Sequence, residues 1–324
     1  MPASEFFVWA ERRIPEEHRS LLDGVARVIE HGSATADESL ASLTTANGIL
    51  AGGRLKYSAE LIERNSRLKV ICRTGIGYDN VDVEAATQHN VYVCNVPDGP
   101  TISTAEHAFA MLLAVAKSLK SNDQDLRNAV AIDYFSRCTN VELYRKCLGL
   151  IGFGRIGRRV ARSAQALEMR VIVFDPWVSP EAAVDCGVEP VGTLEELLRA
   201  ADAVSLHLPL TQSTRGLIGA AQLAMMKPRS ILINTARGPL VDTDALANAL
   251  QEGRLFGAGV DVFESEPPPP DHPLLQLDNV IVTLHVAGAT QAGKSRLLEM
   301  AVRQLVQVAT GQRPDNVVNP DADR

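Results

Sequence analysis

The stretch Cys147-Leu148-Gly149-Leu150-Ile151-Gly152-Phe153-Gly154-Arg155-Ile156-Gly157 constrains the fold more than any other part of the chain. An apolar run of buried-strand type enters a G-x-G-x-x-G turn, and RIGRRVARSAQAL follows with helical periodicity. Isolated, such a motif is weak. Here a strand precedes it, a helix follows it, and the next apolar run, RVIVFD, ends in Asp175 about twenty residues on. Gly152 permits the tight turn, Gly154 lets an anionic group approach the backbone, and Gly157 allows close helix–strand packing. The unpaired N–H groups at the helix N-terminus would face that anion. Asp175 can accept hydrogen bonds from two ribose hydroxyls and would repel a 2′-phosphate, and Pro176 and Trp177 offer no cation to reverse that preference. The pattern therefore points to NAD. The blander reading is three glycines that serve packing alone.

From residue 147 onward the apolar runs recur as CLGLIG, RVIVFD, AVSLHL, ILIN, GAGVDVF and NVIVTLH. Helix-like segments such as TLEELLRA and DTDALANALQEG lie between most of them. Continuous apolar strands alternating with helices predict a parallel sheet covered on both faces, a doubly wound α/β domain. The first hundred residues carry a fainter α/β pattern in FFVWA, ARVIEH, GILAGG, LKVICR and VYVCN. VPDGPTIST separates the two patterns, and Ser103-x-x-Glu106 has capping-box spacing ahead of the helix that follows. The expected division is residues 1–99 with 290–324 against residues 100–289, the C-terminal helix returning to a smaller, discontinuous α/β domain. PPPP at 267–270 reads as a stiff loop.

At 324 residues the chain is long enough for two cores. Its net charge of -7 argues against nucleic acid or an anionic membrane as the main partner. The five cysteines (Cys72, Cys94, Cys138, Cys147, Cys186) are scattered and form no CxxC pair, so they read as free thiols in a reducing cytoplasm and no metal is expected. The N-terminus shows no signal peptide, and AEHAFAMLLAVAKSLK is too short and too polar at its ends to span a bilayer.

In an open parallel sheet, ligands bind outside the carboxyl ends of the strands. Asp175, His207, Thr235 with Arg237, Asp261 followed by Glu266, and His285 all fall at that side of the apolar runs. Arg237 is a planar, permanently charged fork suited to a carboxylate and an adjacent carbonyl oxygen, and Gly238 and Pro239 fix the turn that aims it. His285 ends a run reading IVTLH and precedes small residues that leave room for a ligand; its imidazole can exchange a proton near neutral pH. Glu266 could orient that ring. A lone strand-end histidine is more often a hydrogen-bonded structural group, but Arg237 and Glu266 at the same edge change the balance. His207 reads as a packing or cofactor-edge residue, His18, His31, His89 and His272 as surface groups, and His107 as a helix-face residue.

With these residues in place the chain resembles the D-isomer-specific 2-hydroxyacid dehydrogenases. The matching stretches are GIGYDNVD, STAEHAFAMLLA, LGLIGFGRIGRRVA, INTARGPLVD, GVDVFESEP, LHVAGAT and NVVNP, in that order. The resemblance implies a Rossmann NAD domain with a smaller flavodoxin-like substrate domain, and a homodimer. It implies that Arg237 binds and polarises the substrate, that His285 is the acid/base, and that Glu266 is its carboxylate partner. It carries cofactor contacts to Gly152, Gly154, Arg155, Ile156, Gly157, Asp175, His207, Pro209, Thr235, Ala236, Asp261, His285, Gly288 and Thr104. It carries substrate binding to Gly75, Ile76, Gly77 and Arg237, and to Arg73, where an ion pair or a helix cap is an equal alternative to a distal anion. One departure is ELYRK, which places Arg145 where many relatives have glycine.

The expectation is reversible hydride transfer between NAD(H) and a small D-2-hydroxy acid or 2-oxo acid, of phosphoglycerate or hydroxypyruvate/glyoxylate type. Two other readings stand beside it: an NAD-sensing scaffold like the corepressors that share this fold, and a formate or phosphite dehydrogenase. The second usually pairs its histidine with glutamine, which Glu266 contradicts.

Overall fold

The five apolar runs of the first hundred residues form strands β1 (Phe6–Ala10), β2 (Ala26–Glu30), β3 (Gly48–Ala51), β4 (Val70–Arg73) and β5 (Tyr92–Cys94). The structure is a computed structural model and describes residues 6–31, 41–130 and 140–322. These strands pair in parallel in the order β2-β1-β3-β4-β5, so the chain winds one way from β1 and the other way from β3. Successive side chains point to opposite faces. Val8, Leu50, Val70 and Cys72 meet Leu298, Ala301, Val302 and Leu305 of the helix Gln291–Ala309, while Trp9, Ile49, Ile71 and Val93 meet Leu43, Ile62 and Ala86. With both faces covered, alternation disappears and the strands read as unbroken apolar runs. This first unit comprises Met1–Pro100 and Thr290–Arg324 and is discontinuous in sequence.

The second unit, Thr101–Ala289, holds β6 (Cys147–Ile151), β7 (Arg170–Phe174), β8 (Glu189–Pro190), β9 (Ala203–Leu206), β10 (Ser230–Asn234), β11 (Leu255–Val260) and β12 (Val280–Val282). Its parallel sheet runs β12-β11-β10-β9-β6-β7-β8, and the winding reverses between β6 and β9. Helices Thr101–Ala116 and Arg155–Ala166 cover one face through Met111, Leu112, Val160 and Ala164. Helices Leu194–Ala200 and Thr243–Gln251 cover the other through Leu197, Leu198, Leu246 and Leu250. Each such fully buried Leu or Val contributes about 1.5–3 kcal/mol.

Several local expectations need correction. β8, with two residues, was too short to register in the apolar rhythm; Pro190 is tolerated there because the strand is an edge. The helix after the first unit begins at Thr101, so Ser103 lies buried in its first turn and does not cap it. β12 stops at Val282, which leaves His285 on a loop and not on the strand's end. His18 and His272 are buried and not surface groups: His18 meets Ser295 Oγ at 3.3 Å, and His272 sits edge-on to Phe263. Arg145, at the position where relatives often have glycine, adopts φ 58°, a conformation glycine takes without strain.

Candidate active site

The glycine-rich turn lies beside the reversal point of the seven-stranded sheet, where this topology leaves a crevice. Gly152 has φ 96°, and a Cβ there would collide with the His207 carbonyl. A Cβ at Gly157 would strike Gly152 O, whereas one at Gly154 would meet nothing within 4 Å. The middle glycine therefore borders open space at the N-terminus of a twelve-residue helix that has no side-chain cap. Asp175 ties the neighbourhood together: Oδ2 accepts from Phe153 N at 2.7 Å and Oδ1 from Trp177 N at 2.9 Å. Each carboxylate oxygen keeps a further lone pair for a hydroxyl. Arg155 is exposed and Ile156 half-buried at the helix start, and Thr235 has a buried hydroxyl without a hydrogen-bond partner among the described residues. These features fit a dinucleotide: an amide-lined turn with room beside it, a carboxylate for ribose, and an orphan hydroxyl on the same edge.

Arg237, Glu266 and His285 come together in this unit. At the tip of β10, buried Asn234 donates from Nδ2 to Arg237 O at 2.9 Å and accepts from Ala236 N at 3.0 Å, which folds the chain back on itself. Gly238 is then obligatory, because a Cβ would run into the Phe263 carbonyl. That close approach brings the Arg237 turn against the segment bearing Glu266. Glu266 Oε2 bonds His285 Nδ1 at 2.7 Å, and Oε1 accepts from Phe263 N at 3.1 Å. Burial raises the Glu266 carboxyl, but the hydrogen bonds from His285 and Phe263 and the charges of His285 and Arg237 outweigh it and hold it below its usual range. It is ionised at neutral pH, so Nδ1–H donates to it and Nε2 is left as the exchangeable ring nitrogen. Arg237 Nη1 also donates to Ala236 O at 2.7 Å.

Asp261 is 0% exposed, and its carboxylate gathers its own surrounding loop. Oδ1 accepts from Val286 N at 2.9 Å and from the Thr283 hydroxyl, and Oδ2 accepts from Ala287 N at 2.9 Å. The backbone carbonyl of Asp261 accepts from His285 N at 2.7 Å. His285 has φ 52°, which costs a non-glycine residue about 1–3 kcal/mol. Hydrogen bonds to a carboxylate, at about 1.5–3 kcal/mol each, offset that cost. His107, on the helix Thr101–Ala116, completes the cluster with Nε2 3.0 Å from Thr283 Oγ1 and 3.6 Å from Asp261 Oδ1. Asn234, Thr283 and His107 were not identified in the sequence as site-builders, because their contacts are long-range.

The remaining assignments divide. His207 Nε2 lies 2.9 Å from Ser205 Oγ, and burial pushes its imidazole down to about 4, so it is neutral at physiological pH. Pro209 is exposed, Ala236 and Gly288 are half-buried, and Thr104 is buried at the start of the helix Thr101–Ala116. Among the described residues no cluster could hold a metal ion, and no helix is long and apolar enough to cross a membrane. Cys72, Cys94 and Cys147 are buried free thiols, Cys186 is half-buried and free, and Cys138 lies outside the described residues.

In the first unit, Gly75-Ile76-Gly77 follows β4. Its three carbonyls are tied inward: Gly75 O accepts from Val96 N at 3.0 Å, Ile76 O from Asn95 Nδ2 at 2.9 Å, and Gly77 O from Arg73 Nε at 3.1 Å. The N–H groups of these residues have no acceptor among the described residues, which leaves three amide donors available on this loop. Arg73 is thus a brace for this loop, with Nη1 donating to Ala51 O at 3.0 Å and to Gly52 O.

The chain is similar to known proteins over most of its length. Residues 109–287 match the family model described as D-isomer specific 2-hydroxyacid dehydrogenase, NAD binding domain. The chain is 40% identical to D-3-phosphoglycerate dehydrogenase of Methanocaldococcus jannaschii over 94% of its own length, and 42% identical to glyoxylate reductase of Korarchaeum cryptofilum over 81% of its length and 80% of that enzyme. It spans 57% of the Methanocaldococcus enzyme and 53% of the D-3-phosphoglycerate dehydrogenase of Archaeoglobus fulgidus. The crystal structure of D-lactate dehydrogenase from Aquifex aeolicus, complexed with NAD and lactic acid, superposes with a TM-score of 0.84 at 31% identity, covering 97% of this chain and 99% of that one.

Proposed function

The chain belongs to the D-isomer-specific 2-hydroxyacid dehydrogenases and its larger unit is an NAD-binding domain, and from that premise we propose that it catalyses reversible hydride transfer between NAD(H) and a small 2-oxo/2-hydroxy acid. The observation that carries the reading is the Arg237–Glu266–His285 grouping on the carboxyl side of one parallel sheet. When bound at the glycine-rich turn, NADH supplies the hydride, and the protein supplies alignment and charge. Gly152, Gly154, Arg155, Ile156 and Gly157 receive the pyrophosphate, Asp175 the ribose hydroxyls, and Thr235, Ala236, Pro209, Gly288 and Thr104 further parts of the cofactor, with His207 at its edge.

Arg237 holds the substrate's oxygens and polarises its carbonyl. The amide nest of Gly75, Ile76 and Gly77 receives the carboxylate, and Arg73 supports that nest. In reduction, His285 gives its Nε2 proton to the substrate oxygen as charge develops there; in oxidation, Nε2 takes the hydroxyl proton. Glu266 stabilises the imidazolium and fixes the ring through Nδ1. Asp261 holds the His285 loop from within.

The substrates favoured are of phosphoglycerate or hydroxypyruvate/glyoxylate type, supported by relatives named D-3-phosphoglycerate dehydrogenase and glyoxylate reductase, and the D configuration follows the family. Free buried thiols support a cytoplasmic setting. A homodimer is supported by the helix Leu119–Arg127, which buries none of its residues and leaves Leu119 and Leu126 55% and 77% exposed. The neighbouring helix Thr101–Ala116 is packed within its own unit. The test is a panel of phosphohydroxypyruvate, hydroxypyruvate, glyoxylate and pyruvate with NADH, followed at the nicotinamide absorbance. Turnover of at least one acid is expected; NADH binding with no turnover of any would make the chain a scaffold.

A further inference from the structure

The five-stranded sheet carries a feature that the reaction leaves unexplained. Its strand order reverses between β1 and β3, and in sheets of this order a ligand ordinarily occupies the crevice at that point. Here the chain's own carboxylate fills it. Glu11, the residue immediately after β1, is 5% exposed, and the loop after β3 wraps it as it would an anion. Glu11 Oε2 accepts from Gly52 N at 2.6 Å and from the Tyr57 hydroxyl at 2.7 Å, and Oε1 accepts from Arg54 N at 2.9 Å. Gly52 has to be glycine for this, because a Cβ would come within 2.7 Å of Glu11 Oε1. Burial, followed by the charge of Glu11, pushes the Tyr57 phenol well above its usual range, so Tyr57 remains a donor.

The organised loop then acts on its neighbour. Gly52 O accepts from Arg73 and, at 3.2 Å, from Asn80 Nδ2, which also donates to Leu55 O at 2.6 Å. The same Arg73 guanidinium holds Gly77 O through Nε, the third of the three carbonyl anchors that leave the Gly75–Gly77 amides available. A buried carboxylate is costly, and well-packed apolar groups are commonly as stable or more so. Here the carboxylate fixes the geometry of the loop after β3.

We propose that Glu11 is a positioning residue for the reaction: acting through Gly52 and Arg73, it sets the Gly75–Gly77 amide nest for the substrate carboxylate. The inference rests on the reading of that nest as the carboxylate site. Glu11 touches neither substrate nor cofactor, so its removal should be felt in substrate affinity and not in the chemical step.

The experiment compares wild type, Glu11→Gln and Tyr57→Phe with NADH and whichever 2-oxo acid the wild type reduces fastest. KM, kcat, the NADH dissociation constant by fluorescence and the thermal midpoint are read for each. Glu11→Gln keeps the shape but sets an amide donor against donors. Its KM should rise roughly tenfold, as a sub-ångström shift of positioning groups commonly does, with kcat and NADH affinity within about twofold. Tyr57→Phe removes one donor and should raise KM by about two- to fivefold, and it decides the matter if Glu11→Gln does not fold. An unchanged KM in the folded variants overturns the proposal, as does a fall in kcat or NADH affinity without a rise in KM. A wild type that reduces no 2-oxo acid sinks the functional reading, and this inference with it; a working wild type with unshifted variants sinks this inference alone.

Discussion

Each of the two sheets ends in a buried carboxylate that holds a loop still, and the two do so for different deliveries. In the seven-stranded sheet Asp261 gathers the N–H groups of Val286 and Ala287 and the Thr283 hydroxyl, and its carbonyl takes His285 N. That loop delivers a side chain, and the cost is a histidine at φ 52°. In the five-stranded sheet Glu11 gathers Gly52 N, Arg54 N and the Tyr57 hydroxyl, and the loop it supports one strand over presents backbone amides. There no residue between Gly52 and Gly77, glycine or other, is left-handed. In the one case a reactive side chain is held on a strained backbone fixed by a buried carboxylate; in the other, amides are left available on a loop whose carbonyls are tied down.

The largest effect expected on this view is at the delivered side chain itself. His285→Ala should lower kcat by about 10²–10⁴-fold, the usual contribution of a positioned acid/base, while NADH still binds. Wild-type turnover in that variant would refute the role. The next largest belongs to the carboxylate beneath it. Asp261→Asn keeps the volume but places a donor where Val286 N and Ala287 N require acceptors, so the His285 backbone should relax. A drop in kcat of about 10²-fold, with KM little changed, is expected in steady-state kinetics. The opposite pattern, a KM effect alone, would erase the contrast with Glu11.

How much of this was legible beforehand follows the range of the contacts. The glycine-rich turn, Asp175 and the Arg237-Gly238-Pro239 turn are local motifs whose backbone demands show in consecutive residues. The reversal of strand order, by contrast, is a property of pairing, and the places of Glu11 and Asp261 become visible only once β1 lies against β3 and β11 against β12. Asp261 looked like a ligand group because it follows an apolar run; its burial under its own loop could not be read from spacing. Asn234 ends a run reading ILIN, and only the folded chain shows that it clamps both sides of the arginine turn. His272 reads as a surface group in the sequence, whereas it is packed against Phe263.

Arg237 sharpens the comparison from the substrate's side. Its turn is set by Asn234 and by the contact of Gly238 with the Phe263 backbone. Arg237→Gln retains a donor but loses the charge, and kcat/KM for the 2-oxo acid should fall by roughly 10–100-fold, the worth of one charge-assisted hydrogen bond. Both KM and kcat should change, since the group meets the substrate before and during the reaction. Kinetics equal to wild type would remove Arg237 from the site.

The smallest effect concerns His207, which separates stability from catalysis on the same sheet edge. Burial holds its pKa at about 4 in the folded protein against about 6.5 in an unfolded chain. The unfolded state therefore binds the extra proton first on acidification. The stability linked to the neutral ring is fully present above about pH 6.5 and is lost progressively as the pH falls toward 4, at most about 3 kcal/mol in all. Glu266 titrates in the same direction but lower, since its carboxyl lies below its usual range and loses its contribution only in stronger acid. His207→Asn should flatten the fall in thermal midpoint between pH 6.5 and 4, measured by calorimetry, at the expense of the Ser205 contact. An unchanged slope would mean that the ring is hydrated enough to protonate in place, and that the edge beside Gly152 is wetter than its packing indicates.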